Sequence, residues 1–98
     1  MDLEFGDQAL ERLYTEEAFR MGLPIPVVTA FRKKVYFMAR ATDERDIRAW
    51  KSLHMEKLKG DRQHQYSIRL NEQLRLIFEI VGEGRDKRLR LVSVEDYH

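Results

Sequence analysis

The sequence predicts an α+β chain in which helices come first and strands follow, and three observations predict it. Apolar residues recur at helical spacing between residues 7 and 41, the period changes to two from Gln65 onward, and glycine and proline mark two joints, "MGLPIPV" and "GEGRDK". Asp7 is placed to N-cap a first helix running to about Phe19, with Leu10, Leu13, Tyr14 and Ala18 on its stripe before Gly22, Pro24 and Pro26 stop it. A second helix is expected from near Pro26 to Ala41, because Val27, Phe31, Val35 and Met38 share one stripe while Arg32, Lys33 and Lys34 cluster away from it. The segment "ERDIRAW" predicts a further short turn of helix.

In the second half Tyr66, Ile68 and Leu70 alternate with Ser67 and Arg69, and Leu74, Leu76, Phe78 and Ile80 alternate with Arg75 and Ile77, which predicts a hairpin. A two-residue loop would pair Ile68 with Arg75 and mix core with charge, so the loop is expected to be Asn71, Glu72 and Gln73. Tyr66 then faces Phe78, Ile68 faces Leu76, and Arg69 faces Arg75. The last strand, Arg88 to Glu95, keeps no single phase in Leu89, Leu91, Val92 and Val94, which predicts burial on both sides or a bulge.

A length of 98 residues bounds the chain to one domain, residues 1–98. Hydrophobic residues at 43% and charged residues at 36% suit a folded, soluble protein and not a disordered one. The absence of cysteine removes disulfides and thiolate metal sites, and with no apolar run of spanning length and no h-region after Met1 the expected compartment is the cytoplasm. Net charge is only +1, but residues 31–69 carry eleven basic and five acidic groups, a middle third able to attract phosphate or simply to form a solvated helix face.

Opposed arginines are unfavourable on a sheet, so the Arg69 and Arg75 pair calls either for a bound anion or for neutralisation by Glu72 or Glu79. The preceding loop, "HMEKLKGDRQHQ", adds Lys57, Lys59 and Arg62, with His54 and His64. The three histidines lack ligand-type spacing, the serines lack a nucleophile elbow, and "GEGRDK" is no phosphate loop, so no metal or cofactor is expected. This residue set suits metal-free RNA cleavage, in which the 2'-hydroxyl is itself the nucleophile and the protein supplies in-line orientation, charge stabilisation, one base and one acid. Lys59 and Arg75 fit charge stabilisation. The terminal "DYH" offers Tyr97 and His98 for proton transfer, with Asp96 beside them. Phe31 and Trp50 fit apolar stripes and are assigned to the core rather than to base stacking.

Four segments together, "LKGDR" (58–62), "SIRLN" (67–71), "QLRLIF" (73–78) and the terminal "DYH", resemble the HigB group of the RelE/ParE toxin superfamily. The resemblance implies helices packed on one side of a small twisted antiparallel sheet and ribosome-dependent cutting of mRNA in the A site. It implies that Lys59 and Arg75 contact the scissile phosphate, that Tyr97 and His98 transfer or position protons beside Asp96, and that Arg69 lies near the RNA backbone. His54, Lys57, Arg62 and His64 are the further substrate-binding candidates. The implied partners are the ribosome, mRNA and a helix-turn-helix antitoxin of the HigA type, through which alone operator DNA would be bound. Two departures stand out: Leu74 replaces the Trp or Tyr frequent in relatives, and His54 lies five residues before Lys59. The competing readings are a ParE-like inhibitor of DNA gyrase, which has no use for the terminal His, and a binding module without activity.

Overall fold

The computed structural model describes residues 1–96, so the expectations for Tyr97 and His98 fall outside the described residues. Strand β1 (Asp2–Phe5) opens the chain, followed by helices α1 (Gln8–Thr15), α2 (Ile25–Arg40) and α3 (Glu44–Ala49). Strands β2 (Glu56–Lys57), β3 (Gln65–Arg69), β4 (Leu74–Val81) and β5 (Arg88–Asp96) complete a five-stranded sheet in the order β1-β5-β4-β3-β2. Strands β2 to β5 pair antiparallel, as expected of the sheet, but β2 lies in the segment read as a loop and β1 was not anticipated; β1 joins the edge of β5 in parallel, which makes the sheet mixed.

The hairpin has the register that patterning demands: Tyr66 opposite Phe78, Ile68 opposite Leu76 and Arg69 opposite Arg75. Its loop is held by Asn71, whose Oδ1 accepts from the Gln73 and Leu74 amides at 2.8 and 2.6 Å, an Asx turn that fixes three loop residues. The irregular phase of β5 is a bulge. Phe78 pairs with Leu91 and Ile77 with Ser93, leaving Val92 as the extra residue. Beyond it the phase reverses, so Val94 joins the Leu76 side and Glu95 lies opposite Arg75.

The helices cover one face of the sheet. Leu10, Leu13, Phe31, Val35, Met38 and Ile47 pack against Ile68, Leu76, Phe78, Leu89 and Leu91 in one buried core. Trp50 packs on the edge of this core with its ring 4.3 Å from that of Phe37, and Phe31 is fully buried, so both are core residues. Asp7 caps α1 as expected, its Oδ1 accepting from Ala9 N at 2.8 Å. The helix nevertheless stops at Thr15, not Phe19, where the Arg32 guanidinium gathers the Leu13 carbonyl and those of the turn that follows. Arg32 donates to the carbonyls of Leu13, Glu16, Glu17 and Phe19 at 2.8–3.1 Å, and the Leu13 carbonyl is one a longer helix would have used internally. Arg32→Ala is expected to cost about 2 kcal/mol, since charge-assisted bonds to otherwise orphaned carbonyls are lost together. Thermal melts should show a Tm about 8–16 °C lower.

Gly82 makes the turn out of β4 possible. It sits at φ +83°, and a Cβ there would lie 2.4 Å from the Asp86 carbonyl oxygen, so no other residue fits without moving backbone.

Candidate active site

The face of the sheet opposite the helices buries Ile77 between Ser67 and Ser93, and beside them its strands present one row of charge. Arg69 on β3, Arg75 on β4 and Glu95 on β5 are consecutive register partners. Neither of the carboxylates expected to neutralise the arginine pair does so. Glu72 is exposed in the loop, and Glu79 faces His64, Gln65 and Arg90 instead. Among the described residues the carboxylate paired with Arg75 is Glu56, at 3.8 Å and itself 58% exposed.

Arg75 is enclosed but loosely held. Its side chain is only 14% exposed, yet Nη1 donates to the His54 carbonyl and to Ser67 Oγ at 3.4 Å each, near the long limit for such bonds. Ser67 is fully buried beneath it. His54 touches both arginines, since its Nε2 lies 3.5 Å from Arg69 Nη1 while its carbonyl meets Arg75. Its backbone is left-handed, at φ 49° and ψ 53°, a conformation uncommon for a residue with a Cβ and enriched at functional sites. From behind, α2 supplies Lys34, whose Nζ donates to the Arg69 carbonyl at 2.6 Å; burial first and Arg69 second hold that ammonium below the usual lysine range.

Arg62 is bound quite differently. It reaches from the loop to Glu95 with two parallel bonds of 2.8 Å and sends Nε to Gln65 Oε1 at 2.8 Å. This is bidentate geometry, the strong form of an arginine–carboxylate contact. Ser93 Oγ donates to the same carboxylate at 2.5 Å. The Arg62 bond, more than that of Ser93, holds the Glu95 carboxyl below its ordinary range despite partial burial. A lowered carboxyl pKa contributes stability that is complete above the ordinary value and lost as pH falls through the lowered one. Wild type and Glu95→Gln should therefore differ in urea midpoint at pH 6 and converge as pH drops below 4.5 toward the folded pKa.

The remaining candidates are dispersed. Lys59 is exposed at the head of a short 3-10 turn (Gly60–Arg62), and among the described residues no carboxylate pairs with its ammonium. Lys57 pairs with Tyr66 in the ladder while Glu56 pairs with Ser67, so strand alternation puts the acid and not the lysine on the arginine side. His64 lies 3.4 Å from Glu79, four residues along β4 from Arg75 and about 13 Å away at the usual strand rise. Asp96 is exposed at the end of β5, in register with Leu74. Sequence reasoning missed Glu56, Ser67, Ser93 and Glu95. A cavity of about 300 Å³ lined by Phe37, Arg40, Ala41, Asp46 and Ala49 lies on the helix side, and none of the candidate residues lines it. Arg69, Arg75 and Glu95 therefore share the sheet face opposite the helices and lie apart from that cavity.

The profile of the family described as "RelE-like toxin of type II toxin-antitoxin system HigB" matches residues 3–92. The chain belongs to the HigB-like toxins. It is 35% identical over 81 residues to Toxin HigB-1 of Vibrio cholerae serotype O1, a stretch covering 83% of this chain and 85% of that one. Among solved structures the HigB-like chain resembles the YoeB/ParE toxin from Agrobacterium tumefaciens, with a TM-score of 0.60 and 17% identity over the full length of both. It also resembles a chain of the YoeB-YefM complex from Staphylococcus aureus, with a TM-score of 0.56 and 22% identity over all of this chain and 97% of that one. These two likenesses establish the toxin fold. The family match ends at residue 92, before the terminal segment of this HigB-like toxin that carries Asp96, Tyr97 and His98.

Proposed function

We propose that this toxin is a ribosome-dependent, metal-free endoribonuclease that cleaves mRNA in the ribosomal A site and so inhibits translation. The observation that carries the reading is the Arg69–Arg75 pair, opposed on the sheet face away from the helices, with Glu56 at 3.8 Å the carboxylate paired with Arg75 among the described residues. Such a pair lowers the energy of a phosphoryl group that gains negative charge as the 2'-hydroxyl attacks. Arg75, walled in by Ser67 and His54 and nearly dry, is the donor whose field is least screened. Lys59 adds a mobile point charge at the same phosphate. Tyr97 and His98 take the roles of base and acid, and Asp96 orients the imidazole. With the nucleophile supplied by the RNA, the ribosome's contribution is to hold the message in line.

The whole chain, residues 1–98, acts as one domain in the cytoplasm, where ribosomes and message are found. Its neutralising partner is a helix-turn-helix antitoxin of the HigA type, and contact with operator DNA runs only through that antitoxin. An acidic antitoxin segment laid over residues 57–62 would cover the groove, whereas protection from hydrogen exchange confined to residues 7–41 would place the antitoxin on the helices.

The test is to add the purified protein to a translating extract with a defined mRNA, map 5' ends by primer extension, and repeat without ribosomes. Cuts within codons on translated message, absent without ribosomes and lost in Lys59→Ala, Arg75→Ala and Tyr97→Phe, are expected. Full activity in all three variants would sink the assignment, and intact message with inhibited supercoiling would replace it by a gyrase inhibitor.

A further inference from the structure

Three arginines surround the row on the open face, and they divide sharply by how they are held. Arg75 has contacts of 3.4–3.8 Å and Arg69 a contact of 3.5 Å to His54, whereas Arg62 has three side-chain bonds of 2.8 Å. Side-chain bonds at 2.8 Å fix a guanidinium, and those near 3.5 Å leave it free to re-aim at an incoming anion. Glu95 stands directly opposite Arg75 in the ladder, yet its two oxygens are spent on Arg62 and Ser93. The acid that could have quenched Arg75 is thereby used to anchor the loop.

We infer that Glu95 is a positioning residue of the nuclease site: by clamping Arg62 it fixes the loop that carries Lys59 against the last strand and leaves Arg75 for the phosphate. The inference rests on the nuclease reading above. Three features of the fold support it beyond the ion pair. Lys59 and Arg62 bracket the same 3-10 turn, whose Arg62 N donates to the Lys59 carbonyl at 3.3 Å, so holding one end of the turn constrains the other. Arg62 is tied on its second side to Gln65, whose Nε2 donates to Glu79 Oε2 at 3.0 Å, and Glu79 in turn receives Arg90 at 3.5 Å. The clamp is thus braced through Gln65 on β3 to Glu79 on β4, the kind of support that holds reactive groups in place. Glu95 is also two residues before Tyr97, so one side chain links the basic loop to the segment carrying the proposed acid and base.

Arg62 is accordingly reassigned from a direct phosphate ligand to the loop's anchor, and the two roles differ in what they do to the kinetics. Loss of a phosphate ligand raises the toxin concentration that half-saturates ribosome complexes. Loss of an anchor lowers the single-turnover rate at saturation, because Lys59 is misplaced by a fraction of its reach.

The experiment combines single-turnover cleavage on programmed ribosomes with hydrogen exchange of the free protein, for wild type, Arg62→Ala, Glu95→Ala, the double variant and Glu95→Gln. Each alanine variant is expected to lose about 10–100-fold in saturated rate, with half-saturation moved less than about three-fold. The double variant should be no slower than the worse single variant, because both remove one device. Amides of residues 58–63 should exchange at least about ten-fold faster in the alanine variants, with those of β4 unchanged. Glu95→Gln, which keeps the volume and one acceptor, should fall between wild type and Glu95→Ala, and it supplies the result if the alanine variant does not fold. A saturated rate equal to wild type in Glu95→Ala, additive losses in the double variant, or unchanged exchange at 58–63 would each overturn the inference. Exchange needs neither RNA nor ribosome, so a wild type that cuts no message overturns the nuclease reading separately.

Discussion

Arg75→Ala is expected to lower the saturated rate of ribosome-dependent cleavage by about 10²–10³-fold, the loss typical of removing one preorganised donor from a developing oxyanion. Its effect on the fold should be small. The contacts it abandons are long, to the His54 carbonyl and Ser67 Oγ at 3.4 Å and to Glu56 at 3.8 Å. Removing a guanidinium that is 14% exposed also relieves the cost of holding a charge beside Arg69. A Tm within a few degrees of wild type, with the rate down by that factor, would separate site from scaffold. Arg75→Lys should fall between the two, because an ammonium keeps the charge and loses the planar fork that reaches two phosphoryl oxygens. A wild-type rate for Arg75→Ala would mean that charge stabilisation comes from elsewhere, and the arginine pair would lose its functional explanation.

What the sequence makes legible is what alternation and capping encode locally. The hairpin register could be read because only a three-residue loop keeps Ile68 and Leu76 off the arginine face, and the structure pairs them so. The bulge could be anticipated but not placed, and that one ambiguity hid the most connected acid of the site. Leu89 and Leu91 set one phase and Val94 the other, so whether Glu95 faces the helices or the arginines depends on where the extra residue sits; Val92 turns it toward the arginines. Strand β1 was illegible for a different reason: four residues are too few to show a period, and their parallel pairing with Arg88 to Leu91 is set by contacts more than eighty residues away, including Glu4 with Arg88 and Arg90. The basic middle third could be read only as a phosphate-attracting patch or a solvated face, because spacing does not show what each cation touches. Arg32 and Lys34 are spent on backbone carbonyls and Arg62 on Glu95, so these three of the eleven cations hold the fold.

The largest loss of stability is expected from Phe78→Ala, and the way it fails should differ in kind from that of Arg75→Ala. Phe78 is fully buried on the central strand, beside the bulge, with its ring stacked 5.8 Å from that of Tyr66. Truncation removes the transfer energy of the ring and leaves a cavity that flanking Leu76 and Leu91 fill only in part, a cost of about 3–5 kcal/mol. Against a total near 5–15 kcal/mol for a domain, that lowers Tm by roughly 15–30 °C and leaves a substantial unfolded fraction at growth temperature. Because β4 carries Phe78 toward the helices and Arg75 toward the open face, melting the strand removes the site with the core. Cleavage by Phe78→Ala should therefore recover on cooling, in step with the folded fraction measured by circular dichroism. The Arg75→Ala defect should persist at every temperature where the chain is folded, since the missing group is absent from a scaffold that remains intact.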